Sequence, residues 1–198
     1  MARVLINHGW TNQRPTEHWQ NIAATALRRA GHQVQYPQYP QTEMPVFEHW
    51  QHLLLAELQQ QIDIGEAAGE RIVIAHSLGC INFLLAAQSG LITEPIDRLL
   101  LVAPAESSRL AELPDFQFDL SDSGLATSLH AAAKSVTLLG SDRDDWNPSG
   151  LQSSFGNALQ LEAVIIEGAG HLALGDGWGQ WRGLIDWVND PAANLTIR

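Results

Sequence analysis

Three short runs of this sequence, "VLI" (Val4–Ile6), "IVIA" (Ile72–Ala75) and "LLLVA" (Leu99–Ala103), are apolar without interruption. A strand with one wet face alternates polar and apolar residues. An unbroken run implies cover on both faces, as in a parallel sheet between layers of helices. Strands are predicted at Arg3–Asn7, Gln33–Tyr36, Arg71–Ala75, Arg98–Ala103, Ser135–Leu139 and Ala163–Glu167. Segments with helical spacing lie between and after them, at Thr16–Ala30, Pro45–Ile64, Cys80–Ser89, Ser149–Leu159 and Gly179–Val188. Thr16 stands where it would cap the first helix and Gly31 where that helix would end. This alternation predicts an α/β fold in three layers, a mostly parallel sheet of about six strands with right-handed crossovers.

The chain has 198 residues, 45% of them apolar and 17% charged, which is the composition of a globular domain. One domain over residues 1–190 is expected, with 191–198 as a C-terminal tail that frays. Pro104 to Leu125 shows no clear period and is read as a loop, a small cap or a crossover with a short helix. A net charge of -11 with no basic cluster argues against nucleic acid as a partner. The opening "MARVLINHG" is too short an apolar run for a signal peptide or a membrane span, so a soluble, cytoplasmic protein is expected. Cys80 is the single cysteine, which rules out an internal disulfide and a cysteine-based zinc site.

In open α/β sheets, ligands bind beyond the carboxyl ends of strands. "AHSLG", Ala75 to Gly79, sits at such an end, before an apolar helix-like run. Small residues two before and two after a serine are what a nucleophile elbow needs, because strand and helix backbones come close there. Alanine replaces the usual first glycine. The plainer alternative for Ser77 is a helix N-cap. After a later strand comes "LLGSDRDDWNP", with Asp142, Asp144 and Asp145 as candidates for the carboxylate that orients a catalytic histidine. Spacing alone does not choose among them. His171 follows the last strand in a glycine-rich turn, and the chain order Ser, Asp, His is that of α/β-hydrolases. The oxyanion that forms in acyl transfer needs N–H donors. Leu78, directly after the serine, and Trp10, in "INHGW" after the first strand, are the expected donors, with Gly9 allowing close approach.

Other residues invite weaker readings. His49 and His52 lie three apart on a predicted helix but lack a third ligand, so no metal is expected. His76 packs at the elbow beside the substrate, and Cys80 reads as a small buried residue. Trp19 and Trp50 are assigned to the core. Trp10, Trp146 and Trp178 follow proposed site strands and are candidates for an aromatic pocket mouth, although Trp178 fits equally well beneath the glycine-rich turn.

Taken together, "HGW…HWQ", "FEHWQHLL", "AHSLG", "LLLVAPA", "GSDRDDW" and "GAGHLALGDGWGQW" resemble the small serine hydrolases of the retinoblastoma-binding-protein-nine and YdeN type, within the α/β-hydrolase superfamily. The resemblance spans nearly the whole chain. It implies a six-stranded parallel α/β-hydrolase-like fold with minimal or no cap. It places the nucleophile at Ser77, the base at His171 and the acid at Asp144, with Asp145 where proline is usual. The expected activity is hydrolysis of a small carboxylic ester or thioester, through an acyl-enzyme, with no cofactor and a small acyl compound as substrate, and with neither nucleic acid nor membrane as a partner. The alternatives are a non-catalytic binding or scaffold protein on the same fold, or an acyltransferase using the same three residues.

Overall fold

The structure, a computed structural model, describes residues 1–65, 67 and 69–198. Six strands, β1 (Ala2–Asn7), β2 (Gln33–Gln35), β3 (Glu70–His76), β4 (Ile96–Val102), β5 (Ala133–Ser141) and β6 (Ala163–Ile166), form one parallel sheet in the order β2-β1-β3-β4-β5-β6. The helices are α1 (Trp19–Arg29), α2 (Phe47–Ile64), α3 (Leu78–Gln88), α4 (Leu125–Ala132), α5 (Asn157–Leu159) and α6 (Arg182–Asn189).

The unbroken apolar runs are explained by two cores. Alternate strand residues Leu5, Val73, Leu99, Leu101 and Leu138 pack with Trp50 and Leu54 of α2, most of α3, and Leu125 and Leu129 of α4. Val4, Ile6, Ile72, Ile74, Leu100 and Val102 face the opposite way, onto Trp19, Ala23 and Leu27 of α1 and Leu184 and Trp187 of α6. The two-residue period of a strand sends neighbours to opposite faces, so a doubly covered strand has no polar turn in its pattern. No helix among the described residues is long and apolar enough to cross a membrane.

Several expectations are corrected. The first helix is capped by His18 rather than Thr16: the His18 N–H donates to Pro15 O at 3.1 Å, closing a turn that delays the helix start. The helix predicted at Ser149–Leu159 opens as a wide π turn at Gln152–Gly156 before α5. Within the irregular stretch lie two short 3-10 turns, Ser107–Arg109 and Pro114–Phe116, followed by α4. Leu110, Leu113, Phe116 and Phe118 bury themselves against the α2–α3 side of the core. The last residues lie against the start of α6. Trp181 Nε1–H donates to Leu195 O at 2.8 Å and Gly183 N–H to Ile197 O at 2.8 Å, with Leu195 buried.

Candidate active site

The strand order reverses between β1 and β3, and a crevice opens beyond their carboxyl ends at such a switch point. Ser77 stands there, between β3 and α3, with φ 54° and ψ -122°. A non-glycine residue held with positive φ is strained by roughly 1–3 kcal/mol. Two hydrogen bonds hold it, from Ser77 N–H to Val102 O at 3.0 Å and from Cys80 N–H to Ser77 O at 2.9 Å. A side chain at position 79 would meet His8 O at 2.7 Å and Asn7 O at 2.8 Å, so Gly79 is set by the approach of the β1 loop. Gly9 is set by the same approach from the other side, where a Cβ would lie 2.8 Å from Ser77 Cβ.

His171 reaches the serine from the turn after β6. Ser77 Oγ lies 2.7 Å from His171 Nε2, and His171 Nδ1 lies 2.9 Å from both Oδ1 and Oδ2 of Asp144. With the proton on Nδ1, the ring donates to the carboxylate and accepts from the hydroxyl. Of the three aspartates, Asp144 is buried and Asp142 and Asp145 are exposed. Asp142 instead accepts the Gly168 N–H at 2.6 Å. Ser141 Oγ accepts from Arg143 N–H at 3.1 Å and Ala169 N–H at 2.9 Å, tying the aspartate and histidine turns together at the end of β5.

Two acidic residues that the sequence did not single out hold these turns. Asp176 Oδ2 accepts the N–H groups of His171 at 2.9 Å and Ala173 at 3.1 Å. Glu106 accepts from Ser149 N–H at 2.9 Å and Ser149 Oγ at 3.0 Å, while its own N–H donates to Trp146 O at 2.9 Å. The signal for Asp176 lay in view inside "GHLALGDGW"; for Glu106 it was an acid soon after a buried strand.

The N–H groups of Leu78 and Trp10 have no protein acceptor among the described residues. His8 Nδ1–H donates to Gly9 O at 2.9 Å, and that carbonyl belongs to the same peptide unit as the Trp10 N–H. His8 Nε2 in turn accepts from Tyr39 N–H at 2.9 Å. Burial is the main reason that the His8 pKa falls to about 4, which leaves the ring neutral and this bracket intact near pH 7.

A cavity of about 520 Å³ adjoins Ser77, lined among others by Gly9, Trp10, Asn12, His18, His76, Trp146, His171 and Leu174. Trp10 and Trp146 meet edge to face with centroids 6.0 Å apart, and Trp146 lies 5.6 Å from the His171 ring. His76 Nε2–H donates to His171 O at 2.9 Å, and burial above all keeps the ring neutral. Trp178 takes the other of its two readings. It is 1% exposed, donates from Nε1 to Ala169 O at 2.9 Å, and packs beneath the glycine-rich turn rather than at the cavity. The irregular stretch after β4 does not line this cavity either, so the cap reading of Pro104–Leu125 is set aside. Cys80 is buried, its Sγ within 3.2 Å of Ala75 O, and burial pushes its thiol pKa up. No group of three metal-ligating side chains occurs among the described residues.

The sequence model of the serine hydrolase family matches residues 4–189. No functionally curated protein matches the sequence. Among solved structures, the ydeN gene product of Bacillus subtilis is 20% identical and superimposes with a TM-score of 0.78, covering 96% of this chain and 97% of its own. A YdeN-like protein from Pectobacterium atrosepticum is 21% identical, with a TM-score of 0.65 over 95% of this chain and 89% of its own. Est1E from Butyrivibrio proteoclasticus, solved with ferulic acid bound, is 16% identical, with a TM-score of 0.61 over 96% of this chain and 89% of its own. At these identities the likeness is one of fold.

Proposed function

The chain belongs to the serine hydrolase family, and from that premise we propose that it cleaves a small uncharged carboxylic ester or thioester through an acyl-enzyme. Ser77 Oγ attacks the carbonyl carbon as His171 Nε2 takes the hydroxyl proton, and Asp144 stabilises the imidazolium that results. The carbonyl oxygen, now negative, is held by the N–H groups of Leu78 and Trp10. In water-excluded sites, one such donor is worth roughly 2.7–4 kcal/mol of barrier. His171 returns the proton to the leaving oxygen or sulfur, which departs with the electrons of the broken bond. A water then repeats the attack on the acyl carbon, releasing the acid and restoring Ser77. No cofactor enters the cycle.

The observation that carries this reading is the continuous relay from Ser77 Oγ through His171 to Asp144, with bonds of 2.7 and 2.9 Å, at a serine whose backbone is strained. A serine serving only as a helix cap has no use for positive φ, and Ser77 makes no side-chain capping bond. Esters in the size range of p-nitrophenyl acetate and butyrate suit the cavity. A fluorophosphonate probe is expected to label the protein at one site, and Ser77→Ala to abolish the labelling. Equal labelling of the alanine variant would remove Ser77 from the mechanism.

A further inference from the structure

One polar group in the cavity is left idle by the reaction above. His18 is 4% exposed, stands at the turn before α1, and forms part of the cavity lining. Its Nδ1 accepts the Gln20 N–H at 3.2 Å. A neutral imidazole with an acceptor at Nδ1 carries its proton on Nε2. Burial, with a smaller contribution from His8, lowers its pKa to about 4, so the ring stays neutral near pH 7. Its Nε2–H meets no protein acceptor among the described residues, yet it is not sealed off as His76 Nδ1 is. The ring lies 6.0 Å from that of His76, which lies 5.1 Å from that of His171. The His18 ring thus joins that of His171 through His76, and it shares the cavity with Ser77.

The rest of the lining sharpens what such a donor would meet. Asn12 is engaged at both ends, giving one Nδ2–H to Gln20 Oε1 at 2.9 Å and accepting Arg14 N–H at 2.6 Å. Gln13 Nε2–H is directed to Thr42 Oγ1 at 3.1 Å. No lysine, arginine, aspartate or glutamate is among the lining residues. A charged ligand would shed water there without finding an ion pair.

We propose that the His18 Nε2–H is a substrate-recognising donor, and that the enzyme prefers uncharged esters carrying an oxygen acceptor remote from the scissile carbonyl. An ether, hydroxyl or carbonyl oxygen on the substrate would serve. This rests on the reading of the cavity as the ester site of Ser77. A ligand without the acceptor displaces water from the donor and strands it, and sites built around a hydrogen bond reject the analogue that lacks it.

The test separates binding from turnover. With the Ser77→Ala protein, affinities are measured by calorimetry for ethyl methoxyalkanoates whose ether oxygen is placed at successive carbons, and for their methylene isosteres. At one position or more, the ether is expected to bind about fivefold or more tightly than its isostere. In Ser77→Ala/His18→Asn that advantage is expected to vanish, because asparagine can still accept the Gln20 N–H but offers no imidazole donor. Imidazole nitrogen NMR of Ser77→Ala gives a reading that needs no second variant: the His18 Nε2 resonance is expected to move with the favoured ether and stay still with the isostere. No favoured position, an advantage that survives His18→Asn, or an unmoved resonance would overturn the proposal. Turnover of the same esters by the unaltered protein reports separately on hydrolysis. Its absence would overturn the role given to Ser77 while leaving the binding ratio readable.

Discussion

Asp144 and Asp145 are adjacent in sequence and opposite in surroundings. Asp144 is buried, receives His171 Nδ1–H and also accepts the Trp146 N–H at 2.9 Å, while Asp145 faces solvent. Asp144→Asn turns a donating amide or a weaker acceptor toward the imidazole and removes the charge that steadies its cation. A fall in kcat of about 10³–10⁴ is expected from it, against less than about threefold for Asp145→Asn, in ester hydrolysis assays on variants of matched thermal stability. A large loss from Asp145→Asn would reverse the assignment. Spacing alone left these residues undecided because a side chain's direction in an irregular turn depends on the turn's own bonds. Here Asn147 N–H donates to Asp144 O at 3.0 Å, and Trp146 N–H to the Asp144 carboxylate. His18, Glu106 and Asp176 were silent for a related reason. Each acts on a backbone N–H, a partner present at nearly every position and so without a mark in the sequence.

At the scale of elements, the strands were legible because cover on both faces leaves unbroken apolar runs, and β1, β3 and β4 fall within two residues of their predicted bounds. The short helix α4 was not. Its buried Leu125, Ala126, Leu129 and Ala132 keep helical spacing, but eight residues after a stretch of glycine, serine and aspartate carry too little of it. The stretch before α4 has a use that its composition hides. Glu106, just after β4, clasps Ser149 and Trp146 and so steadies the turn that carries Asp144. Glu106→Ala is expected to cost about 2 kcal/mol of stability, since hydrogen bonds to a charged group are worth roughly 1.5–3 kcal/mol. A fall of about tenfold in kcat with little change in KM should accompany it, because the aspartate is disturbed and the cavity is not. Urea denaturation and steady-state kinetics check the two halves, and an unchanged kcat would confine Glu106 to a structural role.

For the molecule as a whole, the buried imidazoles make stability depend on pH in a defined window. His8 and His18 have pKa values near 4 in the folded chain, against an ordinary 6.5, chiefly through burial. Between these values the unfolded chain binds protons that the folded chain refuses. Stability therefore rises with pH through the window and is lost as pH falls from 6.5 toward 4. Each ring should cost roughly 2 kcal/mol between pH 7 and 5. Denaturation curves across that range should show the decline beginning above the pH at which ordinary carboxylates titrate. A flat profile from pH 7 to 5 would contradict it.

Ser77 comes from the middle of the sheet, beside β1 and β4, whereas His171 hangs from the turn after β6, a four-residue strand with a neighbour on one side only. The proposed nucleophile and base are thus anchored in regions of unequal tenacity. As conditions grow harsher the rim should loosen while the centre still stands, and the molecule would fall silent before it falls apart.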